Sequence, residues 1–177
     1  MSARRQRQMC IRDRTKWVQD QFDTRLNWDD VKRIKDWWGG KLIIKGIMDP
    51  DDAKMAQKCG ADALVVSNHG GRQLDGVNSS ISTLPEIKKA VSNMEVLMDG
   101  GISSGQDILK AIAMGAEGVM IGRSFVYGLS AGGKEGVTKS LEILNKELDM
   151  TMALCGRRDI KDVGRDIIKD CPFFEKN

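Results

Sequence analysis

The chain has 177 residues, 41% of them apolar and 30% charged, which is enough for one soluble domain with a real core. Its net charge of +3 is local: Met1–Arg14 holds five arginines and one aspartate and contributes +4, leaving −1 for residues 15–177. Acidic and basic residues alternate along that remainder, which argues against a nucleic-acid-binding face, and no apolar run approaches the roughly 18 residues of a membrane span.

The opening MSARRQRQMCIRDR lacks the apolar core of a secretory signal and is read as a non-native or mis-assembled leader, with a short disordered basic arm as the alternative. Residues 15–177 then form the domain. The four cysteines, Cys10, Cys59, Cys155 and Cys171, lie far apart without a CxxC pair or a histidine cluster, so neither a metal site nor a disulfide framework is predicted. That cysteine usage fits a reducing cytoplasmic compartment. A peripheral position at the inner membrane is the alternative.

In chain order, the first strand is predicted at Leu42–Lys45. Asp49 then caps a helix with Pro50 at its first position and Gly60 at its end. The second strand, Ala63–Ser67, is followed by a helix over Leu84–Val91 with Pro85 near its start. The third, Glu95–Asp99, leads to Ser104 capping Gln106–Met114, with Gly115 as the stop. The fourth is Gly118–Ile121, with a longer helix over Glu135–Leu148 and shorter pieces at Met150–Cys155 and Asp159–Ile168. The strands are Val, Ile, Leu and Met without polar alternation, as buried parallel strands are. Repeated βα units imply a parallel α/β architecture. Polar residues close every strand: Lys45, Ser67–Arg72, Asp99–Gly101 and Gly122–Arg123. Convergence of strand ends on one face is the barrel arrangement, and four units amount to half of a (β/α)8 TIM barrel.

Three constellations sit at those strand ends. In SNHGGRQLDG, Ser67–Gly76, the chain's only histidine follows a strand directly and precedes two glycines. Arg72, three residues on, suits bidentate capture of a carboxylate. A base beside a carboxylate clamp is what oxidation next to a carboxylate requires. In DGGISSGQD, Asp99–Asp107, and MIGRS, Met120–Ser124, glycines at neighbouring strand tips and a helix start suit a phosphate, to which Arg123 adds charge. Lys45, closing the apolar run LIIK, could stabilise negative charge on a reduced flavin or pair with a carboxylate such as Asp99.

Taken together, KGI at Lys45, SNHGGRQLDG, the DGG and IGR pair and TMALCG at Thr151–Gly156 make Asn27–Ile168 resemble the C-terminal half of the FMN-dependent 2-hydroxy-acid oxidases and dehydrogenases, the glycolate oxidase and flavin L-lactate dehydrogenase type. The resemblance implies FMN as cofactor and oxidation of a small L-2-hydroxy acid to the 2-oxo acid. His69 matches the catalytic histidine and substrate contact, and Arg72 the arginine that grips the substrate carboxylate. Lys45 matches the lysine near the flavin N1 and C2 oxygen, and Ser67 a serine contacting the ring. Asp99, Gly100, Gly101, Ile102 and Ser103 match one FMN phosphate segment, and Gly122 and Arg123 the other. The electron acceptor implied is oxygen, a quinone or a cytochrome, and intact members are homo-tetramers. His69 takes the hydroxyl proton if a hydride moves, or the α-proton if a carbanion forms, and both stay open.

The chain departs from the family in two ways. Many members have Arg where Ser103 stands. The family's first four strands, which supply substrate tyrosines, a second carboxylate-binding arginine and the Asp that orients the histidine, have no counterpart in this sequence. Two rivals follow: another FMN barrel of the IMP dehydrogenase or isopentenyl isomerase kind, which would lack SNHGGRQ, and a half-barrel with no catalysis of its own.

Overall fold

The computed structural model describes residue 23 and residues 25–168. The leader reading of residues 1–14, and Cys10 and Cys171, lie outside the described residues. The four predicted strands form: β1 (Ile43–Ile47), β2 (Ala63–Val66), β3 (Glu95–Asp99) and β4 (Gly118–Met120). They lie in one sheet in the order β1-β2-β3-β4, with every pairing parallel. Among the described residues five α-helices accompany them: α1 (Trp28–Trp38), α2 (Pro50–Lys58), α3 (Ser80–Ala90), α4 (Gly105–Ala113) and α5 (Arg123–Leu154). Four consecutive parallel βα units, with β1 and β4 at the edges among the described residues, make an α/β half-barrel.

Strand alternation separates the two faces of the sheet. Leu64, Val66, Val96 and Met98 face the helices, where they pack with Ala53, Ala56, Leu84, Ile87 and Ala111 into the main core. On the opposite face Ala63 and Val65 of β2 are buried, whereas Ile43 on β1 is 53% exposed and Met120 on β4 is 44% exposed. That second face corresponds to the interior of a barrel, and the described residues do not close it.

Local chemistry explains the helix boundaries, including those that depart from the sequence reading. Asp49 accepts from the Asp51 and Asp52 N–H groups at 2.8 and 3.4 Å, and Pro50 opens α2 as predicted. Helix α3 starts at Ser80, four residues before the predicted Leu84, so Pro85 lies inside it. The stripe Ser80, Thr83, Leu84, Ile87 is buried, and that packing sets the start in place of the proline. The sequence reading had no element at α1, which begins with a capping box between Asn27 and Asp30.

The predicted pieces Glu135–Leu148 and Met150–Cys155 fall in one continuous run of α5, with Cys155 as its C-cap, after a break at Gly132 and Gly133, the latter with φ 56°. On the two sides of that break Gly128 and Gly136 touch backbone to backbone, so a Cβ on either would collide with the other. Asp159–Ile168 yields two short 3₁₀ turns, Ile160–Asp162 and Arg165–Ile167, and no α-helix.

Candidate active site

Strand β1 does not stop at Lys45. A bulge at Gly46, φ 99°, carries it on to the buried Ile47. Lys45 thus projects from the open face near the C-terminal end of the strand. Its Nζ donates to Ser67 Oγ at 2.8 Å and lies 2.5 Å from Asp99 Oδ2. The pairing with Asp99 that the sequence allowed is formed, and it links the tips of β1 and β3 across β2. Asp99 Oδ1 is buried and has no hydrogen-bond partner.

A hollow of about 430 Å³ opens where the four strand ends meet. Lys45, His69, Arg72, Asp99, Gly100, Gly101, Ile102, Gly122 and Arg123 line it, so nearly all the predicted site residues come together. Ser67 lines an adjoining recess that shares Lys45 and His69 and has apolar walls from Met48, Leu74 and Val77. Its buried hydroxyl accepts from both Lys45 Nζ and, at 3.2 Å, the His69 N–H. His69 and Arg72 are exposed on the rim, and Arg72 Nε donates to the His69 carbonyl at 3.1 Å.

The two predicted phosphate segments differ. Ser103 lines neither cavity: its N–H and hydroxyl donate to Asp107 Oδ2 at 3.0 and 3.1 Å. The Ser104 N–H and hydroxyl donate to the same oxygen at 3.0 and 2.9 Å. Burial pushes the Asp107 carboxyl up, but these four donors outweigh it and hold the group below its ordinary value. The start of α4 therefore already holds an anion of its own. Ser103 thus stands outside both cavities, its donors taken by Asp107, which closes a capping box with Ser104.

At the start of α5, by contrast, no side chain caps the helix, and Gly122 and Arg123 face the hollow. An uncapped helix N-terminus with an adjacent guanidinium is a ready anion site. The sequence reading missed the role of Asp107, although Ser104 followed three residues later by an acid is a capping-box signal. It also passed over Asn68, which holds the turn at His69–Gly71 by accepting from the Gly70 and Gly71 N–H groups.

Chemically, the hollow joins a cation, an unpartnered carboxylate oxygen, an open anion site, an imidazole and a guanidinium on the rim. It can hold an anionic, hydroxyl-bearing ligand and present an acid–base group to a carboxylate bound beside it. Among the described residues, no group of three or more His, Cys, Asp or Glu is placed to hold a metal, Cys59 and Cys155 are free thiols, and no helix is long and apolar enough to cross a membrane.

Residues 2–170 match the family model for FMN-dependent dehydrogenase. The L-lactate dehydrogenase of Caulobacter vibrioides is 48% identical over 161 residues, covering 90% of this chain and 42% of that protein. The L-lactate dehydrogenase of Allorhizobium ampelinum is 48% identical over 167 residues, covering 94% and 44%. A crystal structure of mandelate oxidase with benzoyl-formic acid superposes with a TM-score of 0.76 at 42% identity, over 79% of this chain and 42% of that one. The chain thus spans under half the length of these relatives, and the portion it spans is a partial TIM barrel. From its sequence match and its half-barrel, this chain belongs to the FMN-dependent dehydrogenase family.

Proposed function

We propose that this chain supplies the C-terminal half of the active site of an enzyme that oxidises a small L-2-hydroxy acid to the 2-oxo acid with FMN. The observation that carries the reading is the single hollow shared by Lys45, His69, Arg72, Asp99 and the Gly122–Arg123 helix start. Those residues fit the cofactor. The open start of α5 and Arg123 suit its phosphate, with Gly100, Gly101 and Ile102 on the facing wall. The orphaned Asp99 Oδ1 suits a hydroxyl of the ribityl chain. Lys45 and Ser67 would lie at the ring, where a cation favours the reduced form. Ser103, bound to Asp107, belongs to the same phosphate segment in this reading.

FMN, when bound, supplies the two-electron acceptor. The remaining work falls to this chain's residues. Arg72 grips the substrate carboxylate through its guanidinium, leaving the carbinol carbon near His69. The His69 imidazole takes the proton released as the carbon is oxidised, and Lys45 offsets the negative charge left on the cofactor side. In the whole protein the same reading gives a homo-tetramer, an acceptor drawn from oxygen, a quinone or a cytochrome, and a cytoplasmic location with peripheral attachment at the inner membrane as the alternative.

A second reading applies to the chain by itself. No carboxylate bonds the His69 ring among the described residues, and the barrel-interior face carries exposed Ile43 and Met120. A histidine base without an orienting carboxylate is poorly held for proton transfer. The unaided chain is therefore a half-barrel without turnover.

The decisive experiment compares the chain alone with the chain joined to the N-terminal portion of the Caulobacter relative that it does not match. Anaerobic flavin bleaching by L-lactate should occur only in the joined protein. There His69→Gln should slow bleaching by about 10²–10⁴-fold, the usual worth of a general base. Arg72→Lys should raise KM and lower the rate, since an ammonium cannot replace a bidentate clamp. Rapid bleaching in the His69→Gln protein would remove His69 as the base, and turnover by the unaided chain would remove the half-barrel reading.

A further inference from the structure

Among the described residues, His69 is the one non-glycine residue with positive φ, at 56°. Gly70 and Gly71 follow at 68° and 69°, so three successive residues are left-handed. Glycine adopts that region freely, while a β-carbon makes it strained, and a strained residue persists only where its surroundings over-determine it. The surroundings here converge on Asn68. Its Oδ1 accepts from the Gly70 N–H at 3.0 Å and the Gly71 N–H at 3.3 Å. Its Nδ2 donates to the Asn78 carbonyl at 3.2 Å, tying the start of the loop to its end.

Its backbone N–H reaches the buried Ser80 Oγ at 3.4 Å, at the first residue of α3. Gly100, from the loop after β3, comes so close that a Cβ there would lie 3.1 Å from Ser80 Oγ and 3.6 Å from Asn68 Oδ1. The Asn68 side chain therefore grips the His69 turn and the loop's far end while packing against the glycine loop of the hollow.

We infer that Asn68 is a positioning residue that holds His69 in its left-handed backbone conformation and so fixes where the imidazole and the Arg72 that bonds its carbonyl stand at the hollow. The inference rests on the reading of His69 as the base, but its test does not. Only the acceptor oxygen is needed at Gly70 and Gly71, so Asn68→Asp keeps the turn and loses the Asn78 tether, whereas Asn68→Ala loses both.

Because the chain has a single histidine, the signals of that residue in NMR spectra of the full chain are unambiguous. In the unsubstituted chain, the three-bond amide coupling and carbon shifts of His69 should report positive φ. The Gly70 and Gly71 amides should exchange at least tenfold more slowly than glycine amides in an unstructured chain. In Asn68→Ala, His69 should move to negative φ and both glycine amides should speed up about tenfold, while Val96 and Met98 in the core stay protected. Asn68→Asp should restore positive φ and keep both amides within about threefold of the original chain.

Unprotected Gly70 and Gly71 in the original chain, or an alanine variant that keeps His69 left-handed, would overturn the inference. So would failure of aspartate to rescue what alanine loses. Should the alanine variant not fold, the original chain and the aspartate variant decide alone. Loss of His69 as the base in the kinetic experiment would leave these backbone results standing, so the two failures are separable.

Discussion

Two lysine–aspartate clusters sit at opposite ends of the sheet. At the N-terminal end of β2, Asp62 is saturated: Lys35 Nζ at 2.6 Å and the Leu42 N–H at 2.8 Å share Oδ2, and Lys41 Nζ bonds Oδ1 at 2.9 Å. At the C-terminal end, Asp99 has Lys45 on one oxygen and nothing on the other. The first cluster stitches α1 and the β1 approach to β2, and its donors and acceptors are spent within the chain. The second leaves a buried acceptor beside a cation in a hollow. A polar group that a protein buries and does not satisfy asks for a partner from outside. Saturation marks structure at one end, and at the other the unmet bond leaves room for a partner from outside.

The core between the clusters should respond most strongly. Leu64 is fully buried on β2, midway between Asp62 and Ser67. Leu64→Ala should cost about 2–5 kcal/mol, read as a lower midpoint in urea. It should loosen both ends together, since the sheet transmits register. A cost under about 1 kcal/mol would mean that the two clusters are held independently.

The next effect should distinguish the ends directly. In the joined protein, Asp99→Ala should weaken FMN binding by about tenfold or more, the scale of a charge-assisted contact. Asp62→Ala should leave FMN affinity unchanged, and a flavin fluorescence titration decides. Equal losses would erase the contrast between saturated and unsaturated carboxylates. Lys45→Met should have a smaller effect on stability, about 1 kcal/mol or less in thermal unfolding, because the pair is partly exposed and screened.

Much of this contrast was legible in the sequence and some was not, for physical reasons. The strands, their parallel order and the gathering of Lys45, His69, Arg72, Asp99 and Arg123 follow from apolar runs capped by polar residues, a local pattern. The partnership of Lys45 with Asp99 was open in the sequence as one of two readings, because a lysine closing a strand is compatible with a ligand or a carboxylate. The bonds of Ser103 to Asp107 were not legible because a glycine-serine loop before a helix looks the same whether the helix captures an outside anion or its own Asp107. Helix α5 before Gly132 escaped notice because GLSAGG has poor helix propensity. Its helicity comes with the close contact of Gly128 and Gly136, which only the fold reveals. Asn68 was overlooked for a related reason, since its bonds to Asn78 and Ser80 close a loop of roughly ten residues that local patterns do not register.

The smallest expected effect is confined to acid, and it sets the two ends apart once more. Hydrogen bonds from Lys35, the Leu42 N–H and Lys41 hold the Asp62 carboxyl far below the ordinary carboxylate range. A depressed folded-state value means that the unfolded chain binds the proton more readily. The stabilisation is therefore complete above the unfolded value near 4 and is lost progressively as the pH falls below it. Asp62→Asn removes the titrating group, so the variant should be less stable than the original chain at pH 7, and the difference should shrink between about pH 4 and pH 2. Thermal melts across that range, at low ionic strength, give the comparison, and added salt should narrow the gap because the cluster lies partly in solvent. Asp107→Asn offers the control at the other end of the sheet, since that carboxyl is also held low, by Ser103 and Ser104. A difference for Asp62→Asn that widens on acidification would reverse the assigned sign and with it the reading of Asp62 as the saturated, structural partner.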